Sequence, residues 1–305
     1  MGNDAIVSFT IARTLDEALA ALAAGARPIA GGTDLVVGAR QGKTPLPSSL
    51  VAIDRLDELS TIETTDGGVR IGATVSHARL MTDPIIVREY TALADSAALV
   101  GSPSTRNVGT LGGNVMNASP AMDTGAPLMV LGAVVQLQSA QGSRVVALSD
   151  LWTGPGQTTA AAVEMCVGVD LPPRPAHSGS AYVRLEYRRA MEIAVVGAAA
   201  SVTLSEDGTI ATGSVALSAV APTIIEVGNA SAVMTGEDPE AAAVAIAAAA
   251  SETATPISDL RASGAYRRHT VGVMAARAVI AAARRASGDE VGVPVNRTVG
   301  VGAAK

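Results

Sequence analysis

Arg27-Pro28-Ile29-Ala30-Gly31-Gly32-Thr33-Asp34-Leu35 sets a glycine pair directly after a short apolar strand. The strand covers residues 27–30, and helical spacing resumes over residues 35–41. Paired glycines let a backbone approach a bulky anion, and successive N–H groups form a nest for it. The Thr33 hydroxyl adds a donor, and a helix start after Asp34 adds a favourable dipole. A plain tight turn is the competing reading of such a pair. Upstream, Thr14-Leu15-Asp16-Glu17 has the form of a capping box, with Thr14 as N-cap and Glu17 at the third helical position. That helix covers residues 15–24, and Gly25 suits its end. Further strands are expected over residues 4–10 and 50–53, which completes a compact α/β unit.

A second glycine pair, Thr110-Leu111-Gly112-Gly113-Asn114, lies in a Gly- and Asn-rich stretch over residues 101–117. It offers a second anion-binding loop, so the two could clasp a diphosphate from both sides. Around it, strands are expected over residues 69–73, 134–138, 144–147 and 163–171. Helices are expected after Ser76, from Pro84 to Val100, and over residues 124–131. This is a mixed α+β sheet.

Pro172-Pro173-Arg174-Pro175 marks a domain boundary. Beyond it, apolar runs over residues 194–204 and 209–217 flank Ser205-Glu206-Asp207-Gly208, a hairpin signal. Asp238-Pro239-Glu240 opens an Ala-rich helix, and a last helix over residues 266–285 carries an apolar stripe. The expected divisions are residues 1–54, 55–173 and 174–288, then a Gly- and Val-rich tail over 289–305 that is expected to be mobile.

Composition removes several functions. Hydrophobic residues make up 48% and aromatics only 2%, so the core must come from Ala, Val, Leu, Ile and Met, and aromatic platforms for single-stranded nucleic acid are excluded. The net charge of −6 disfavours nucleic acid and anionic membranes. The longest apolar run, residues 241–250, is too short to span a bilayer. Cys166 stands alone, so neither an iron–sulfur cluster nor a Cys-rich zinc site is available. Met1-Gly2-Asn3-Asp4 shows no basic leader, and a cytoplasmic location is expected.

Two nucleotide motifs fail. Residues 38–44 have one residue too few between glycines for a P-loop, and no Gly-x-Gly-x-x-Gly opens a helix. His77, His177 and His269 lack ligand spacing and are read as surface or hydrogen-bonding residues. Arg106 and Asn107 are open between local loop bonds and cofactor contact. Arg188, Arg189 and Glu192 read as a solvated group, Trp152 as filler between domains and Cys166 as a small buried hydrophobe.

Five segments together resemble one family: residues 30–35 (AGGTDL), 71–73 (IGA), 106–114 (RNVGTLGGN), 119–123 (SPAMD) and 188–197 (RRAMEIAVVG). In order and spacing, over roughly residues 4–285, the chain resembles the FAD-binding medium subunit of the molybdenum hydroxylases, of the xanthine dehydrogenase and aerobic carbon monoxide dehydrogenase type. The resemblance implies an α+β fold. It consists of a two-subdomain FAD-binding fold of the vanillyl-alcohol-oxidase/MurB type, then a C-terminal α+β domain with a three-stranded antiparallel sheet and helices. It implies that Ile29, Ala30, Gly31, Gly32, Thr33, Asp34 and Leu35 line the first pyrophosphate segment, and Gly109, Thr110, Gly112, Gly113, Asn114 and Met116 the second. By the same resemblance Asp123 bonds the ribose side of FAD, Val100 and Cys166 lie by the flavin ring, and Arg184 is a cation near it. No catalytic residue and no metal ligand are expected in this chain.

The implied role is electron transfer, from an iron–sulfur small subunit through non-covalent FAD to NAD+, oxygen or a quinone. A molybdopterin-binding large subunit hydroxylates the substrate, and the three subunits form a doubled heterotrimer. The molybdenum cofactor and [2Fe-2S] clusters belong to those partners. The sequence departs from the family pattern at Val100, where some members carry an aromatic residue, and at Arg184, where many carry Lys. Thr33 stands where carbon monoxide dehydrogenases tend to have His, which argues against that substrate. The rival readings are a free-standing flavin oxidoreductase, which needs a general acid or base by the ring that the sequence does not offer, and a scaffold that has lost FAD.

Overall fold

The computed structural model describes residues 8–42 and 44–299. Residues 4–7 of the first expected strand, Lys43 of the P-loop-like stretch and the end of the tail lie outside the described residues.

Among the described residues three larger sheets follow one another along the chain, and Trp152–Gly154 pairs with Gln157–Thr158 in a two-stranded fourth. The first is parallel, with Ser49–Ala52 between Ser8–Ile11 and Arg27–Ile29. Helix Leu15–Ala23 connects the outer strands and buries Ala18, Leu19 and Leu22 in one cluster with Val51, Ile53 and Leu56. Its cap forms as expected: Thr14 Oγ1 accepts from the Glu17 N–H at 3.2 Å. The Glu17 carboxylate reaches back to the Arg13 N–H at 2.7 Å, one residue ahead of the cap itself.

The second sheet is antiparallel, in the order Ile62–Thr65, Gly68–Gly72, Met165–Leu171, Val134–Ser139, Gly142–Ala147. Its last strand in sequence thus sits at its centre. The register slips between Cys166 and Gly168, and the Val167 carbonyl there accepts from the Ala73 N–H at 3.2 Å. Helix Thr91–Leu99 is buried from Ala92 onward between this layer and the third sheet. Trp152 fills this core rather than a boundary between domains, and its indole N–H donates to the Val115 carbonyl at 3.0 Å.

The third sheet holds the three long antiparallel strands Ser178–Leu185, Val196–Leu204 and Ile210–Ser218, with the two-residue Ile225–Glu226 added at the far edge. Helices Pro239–Thr253 and Gly264–Ala286 pack with it, and their small buried Ala residues permit close approach. Asp238 caps the first of them, accepting from the N–H groups of Glu240 and Ala241, each at 3.0 Å.

Strand Ser178–Leu185 is an edge whose outward groups are met by side chains instead of another strand. Asp95 Oδ2 accepts from the Tyr182 N–H at 3.2 Å, and Arg285 Nη1 donates to the Ser180 carbonyl at 2.7 Å. The described part of the tail is bonded to the rest of the chain at two residues. Val295 is buried with its N–H 2.9 Å from Asp95 Oδ1, and Asn296 is buried beside Arg184. One backbone N–H and one side-chain amide are thus held despite the Gly-rich composition there.

Candidate functional site

The first glycine segment runs from the end of strand Arg27–Ile29 into helix Thr33–Arg40. The helix starts at Thr33, not after Asp34 as expected, so Thr33, Asp34 and Leu35 form its first turn. Gly32 is the N-cap at φ +67°, a left-handed conformation that favours glycine. Having no side chain, Gly32 leaves the first-turn N–H groups without a capping acceptor.

The second segment differs more from expectation. Gly112, Gly113 and Asn114 are not loop residues but the first turns of helix Leu111–Asn117, capped by Thr110. Capping and burial of Leu111 and Val115 overcome the poor helix propensity of a glycine pair. Three successive N–H groups are already used: Leu111 donates to the Val75 carbonyl and Gly112 to the Ala73 carbonyl, each at 2.9 Å, and Gly113 to Thr110 Oγ1 at 3.1 Å. The Thr110 hydroxyl accepts inside the cap and keeps its own proton to donate. Gly112 lets the helix lie on the sheet edge, since a Cβ there would come 2.7 Å from that of Ala73. Asn114 Oδ1 accepts from the Thr124 hydroxyl at 2.5 Å, which fixes the orientation of its amide.

The two segments meet. A Cβ on Gly31 would fall 1.7 Å from the Val108 carbonyl oxygen, so this contact exists only because residue 31 is glycine. A Cβ on Gly109 would lie 3.4 Å from the His77 ring and 3.5 Å from Thr33 Oγ1. The chain thus brings an uncapped helix start against the turn before a second helix, with Gly31 and Gly113 exposed. Oriented N–H groups and small surfaces of this kind suit the diphosphate of a dinucleotide, and neither segment supplies a described lysine to neutralise it.

Asp123 and Arg184 come together at 2.8 Å, between Asp123 Oδ2 and Arg184 Nη1. The other oxygen of Asp123 accepts from the Tyr182 hydroxyl at 2.9 Å. Arg184 Nε donates to Glu186 Oε2 at 2.9 Å, and Nη2 lies 2.7 Å from the same oxygen but off the line of an N–H bond. Burial alone would pull the Arg184 guanidinium down, yet Asp123, Tyr182 and Glu186 outweigh it and hold it above its ordinary range. Each carboxylate oxygen of Asp123 keeps a further lone pair for a ligand hydroxyl.

Val100 is half-buried, and its carbonyl accepts from Arg106 Nη1 at 2.9 Å, which gives Arg106 a local bond. Ile29, Ala30 and Met116 are half-buried, the last against the middle core. Cys166 lies within that core. Burial pushes its thiol up to about 12, and Sγ faces the Gly168 carbonyl at 3.6 Å. It is placed as a small hydrophobe. Arg188 is solvated as expected, while Glu192 folds inward against it at 3.4 Å.

His77 is the residue the sequence reading missed. It is 2% exposed, not a surface residue, and its Nδ1 has no partner. Burial, then the Arg106 cation, lowers its pKa to about 4, so the ring is neutral. The available signal was Ser76 as a cap, which puts His77 and Leu80 on one helical face. His177 and His269 are exposed. Among the described residues no cluster of His, Cys, Asp or Glu could hold a metal, and no helix is long and apolar enough to cross a membrane.

Known proteins are similar to this chain in sequence and fold. The family described as FAD binding domain in molybdopterin dehydrogenase matches residues 5–174, and the CO dehydrogenase flavoprotein C-terminal domain matches residues 181–282. A xanthine dehydrogenase FAD-binding subunit of Escherichia coli is 31% identical over 286 residues, covering 92% of this chain and 97% of that protein. Subunit alpha of the 6-hydroxypseudooxynicotine dehydrogenase complex of Paenarthrobacter nicotinovorans is 32% identical, covering 91% and 95%. The solved structure of reconstituted CO dehydrogenase from Oligotropha carboxidovorans superposes with a TM-score of 0.86 at 29% identity, covering 91% of this chain and 98% of that one. Fold, site and likeness converge: the chain belongs to the FAD-binding flavoprotein subunits of the molybdenum hydroxylases.

Proposed function

We propose that this chain binds one FAD non-covalently across its two glycine segments and serves as the electron-transfer subunit of a molybdenum hydroxylase complex. The contact of Gly31 with Val108 carries this reading, because it closes an uncapped helix start against the second segment. Bound FAD would supply the redox chemistry between a partner's iron–sulfur centres and an external acceptor such as NAD+, oxygen or a quinone. The chain's own residues bind and orient. The N–H groups of Thr33, Asp34 and Leu35 face the diphosphate, with Gly109, Gly113 and the Asn114 amide opposite. Asp123 accepts from the ribose side while Tyr182 and Arg184 hold its carboxylate still. Val100, half-buried, and Cys166, in the middle core, would lie by the ring.

The functional modules are residues 1–54, 55–173 and 174–288. The assembly is a doubled heterotrimer with an iron–sulfur small subunit and a molybdopterin-binding large subunit, in the cytoplasm. The free-standing oxidoreductase is disfavoured: the His77 ring, which lies against Gly109, is 2% exposed and so closed to a substrate. The test is purification with whatever co-purifies, a visible spectrum, and chromatography of flavin released by denaturation. One FAD per chain, released intact, with iron–sulfur absorbance from larger and smaller partners, is the expected result. A colourless chain that takes up no added FAD overturns the proposal.

A further inference from the structure

Residue 296 lies beyond the matched C-terminal domain, which ends at residue 282. Its side chain nevertheless makes two bonds to the main chain of one residue. Asn296 Oδ1 accepts from the Arg184 N–H at 2.8 Å, and Asn296 Nδ2 donates to the Arg184 carbonyl at 3.0 Å. This is the pair of bonds that the peptide group of a neighbouring strand would make. It falls on the outer edge of strand Ser178–Leu185, where the backbone would otherwise be buried unpaired.

The segment that carries Asn296 is anchored in turn. Asp95 and Arg285 form a buried pair at 2.6 Å, and Asp95 Oδ1 accepts from the Val295 N–H. Arg285 Nη2 reaches the carbonyls of Val291 and Gly292 at 3.3 and 3.2 Å. Through Asn296 this strap thus sits on the backbone of Arg184, whose guanidinium holds Asp123.

We infer that Asn296 is a positioning residue for the cofactor site: its amide substitutes for a missing strand and fixes the backbone from which Arg184 reaches Asp123. The inference rests on the reading that Asp123 and Arg184 border bound FAD. Loss of the amide leaves two buried backbone groups unpaired and lets the strand end shift, so the Arg184–Asp123 pair is presented less often in its binding geometry.

The experiment is a double-mutant cycle on the full chain, with Asn296→Ala, Arg184→Met and the pair. FAD affinity is read by quenching of flavin fluorescence, the flavin absorption spectrum is recorded, and thermal unfolding is followed in parallel. Asn296→Ala is expected to weaken FAD binding roughly tenfold, the effect of losing about two neutral bonds at a buried site. Added to Arg184→Met it weakens binding no further, because the amide acts through Arg184. Asn296→Asp keeps the acceptor for the Arg184 N–H and loses the donor, so its affinity falls between wild type and Asn296→Ala. That variant carries the test if Asn296→Ala does not fold.

Wild-type affinity in both Asn296 variants, with binding weakened in Arg184→Met, overturns the inference alone. Additive losses in the double variant do the same, since they assign Asn296 to general stability. A wild-type chain that binds no FAD, or an Arg184→Met variant that binds it normally, overturns the underlying reading with it.

Discussion

Gly31→Ala tests the cradle directly. The added Cβ would lie 1.7 Å from the Val108 carbonyl oxygen and 2.5 Å from its carbon. Ordinary contact is about 3.5 Å, so the two segments must part by nearly 2 Å. Overpacking of this size costs about 1–3 kcal/mol. Gly31 is exposed, so the segment can swing outward in the free chain, and the cost returns when both sides must close on a ligand. Converted to affinity, about 1–3 kcal/mol weakens FAD binding roughly 5- to 150-fold. Gly38→Ala is the control on the same helix: its Cβ would meet nothing within 4 Å, and alanine favours the helix. The assay is a fluorescence titration of FAD into each variant, with thermal unfolding of the free chains beside it. A Gly31→Ala chain that binds FAD as wild type does would refute the claim that this contact shapes the site.

Other expectations follow from single groups. His77 titrates at about 4 when folded against 6.5 ordinarily, so the unfolded chain takes up the extra proton in that window. Its contribution is therefore complete above pH 6.5 and is lost as pH falls to 4, about 3 kcal/mol in all. Urea unfolding at pH 5 and pH 7 should show this slope flattened in His77→Gln, and equal slopes would exclude His77 as its source. Arg285→Met strands the Asp95 carboxylate, which has no exposed surface, and should cost about 3–5 kcal/mol in urea unfolding. The Cys166 thiol, pushed up to about 12, should ignore an aromatic disulfide reagent at pH 8 and react only in denaturant.

The sequence was most legible where a local rule and a tertiary demand agree. Thr14, Ser76 and Asp238 each cap the helix they were expected to cap, because a cap needs only neighbours a few residues away. The hairpin at Asp207-Gly208 formed for the same reason. Gly112-Gly113 misled, because the propensity of a glycine pair is for a loop, while the Leu111 and Gly112 N–H groups find acceptors in the Val75 and Ala73 carbonyls, just past a distant strand end. No local pattern encodes that pairing, nor the contact of Gly31 with Val108. Composition gave no sign that Val295 and Asn296 of the tail bond to Asp95 and Arg184, far away in sequence. His77 was hidden likewise: burial comes from the elements packed over it.

Arg184 was expected to lend a bare positive charge to the flavin, but the structure encloses it between Asp123 and Glu186, so the cluster carries one net negative charge. On the proposed placement beside the flavin, these three groups set the local field together with the nearby Arg106 and Arg297 cations, which substitutions at Arg184 or Glu186 leave in place. Arg184→Gln strands both carboxylates and makes the cluster more negative, which disfavours adding electrons to nearby FAD. Glu186→Gln leaves Arg184 paired with Asp123 alone and makes the cluster neutral, which favours it. The two variants should therefore shift the flavin midpoint potential in opposite directions, down for Arg184→Gln and up for Glu186→Gln, each by roughly tens of millivolts. Redox titration of the FAD-loaded chain reads both. Shifts of the same sign would mean that the substitutions act by moving the backbone and not by charge, and a null result in both would place the cluster too far from the ring to tune it.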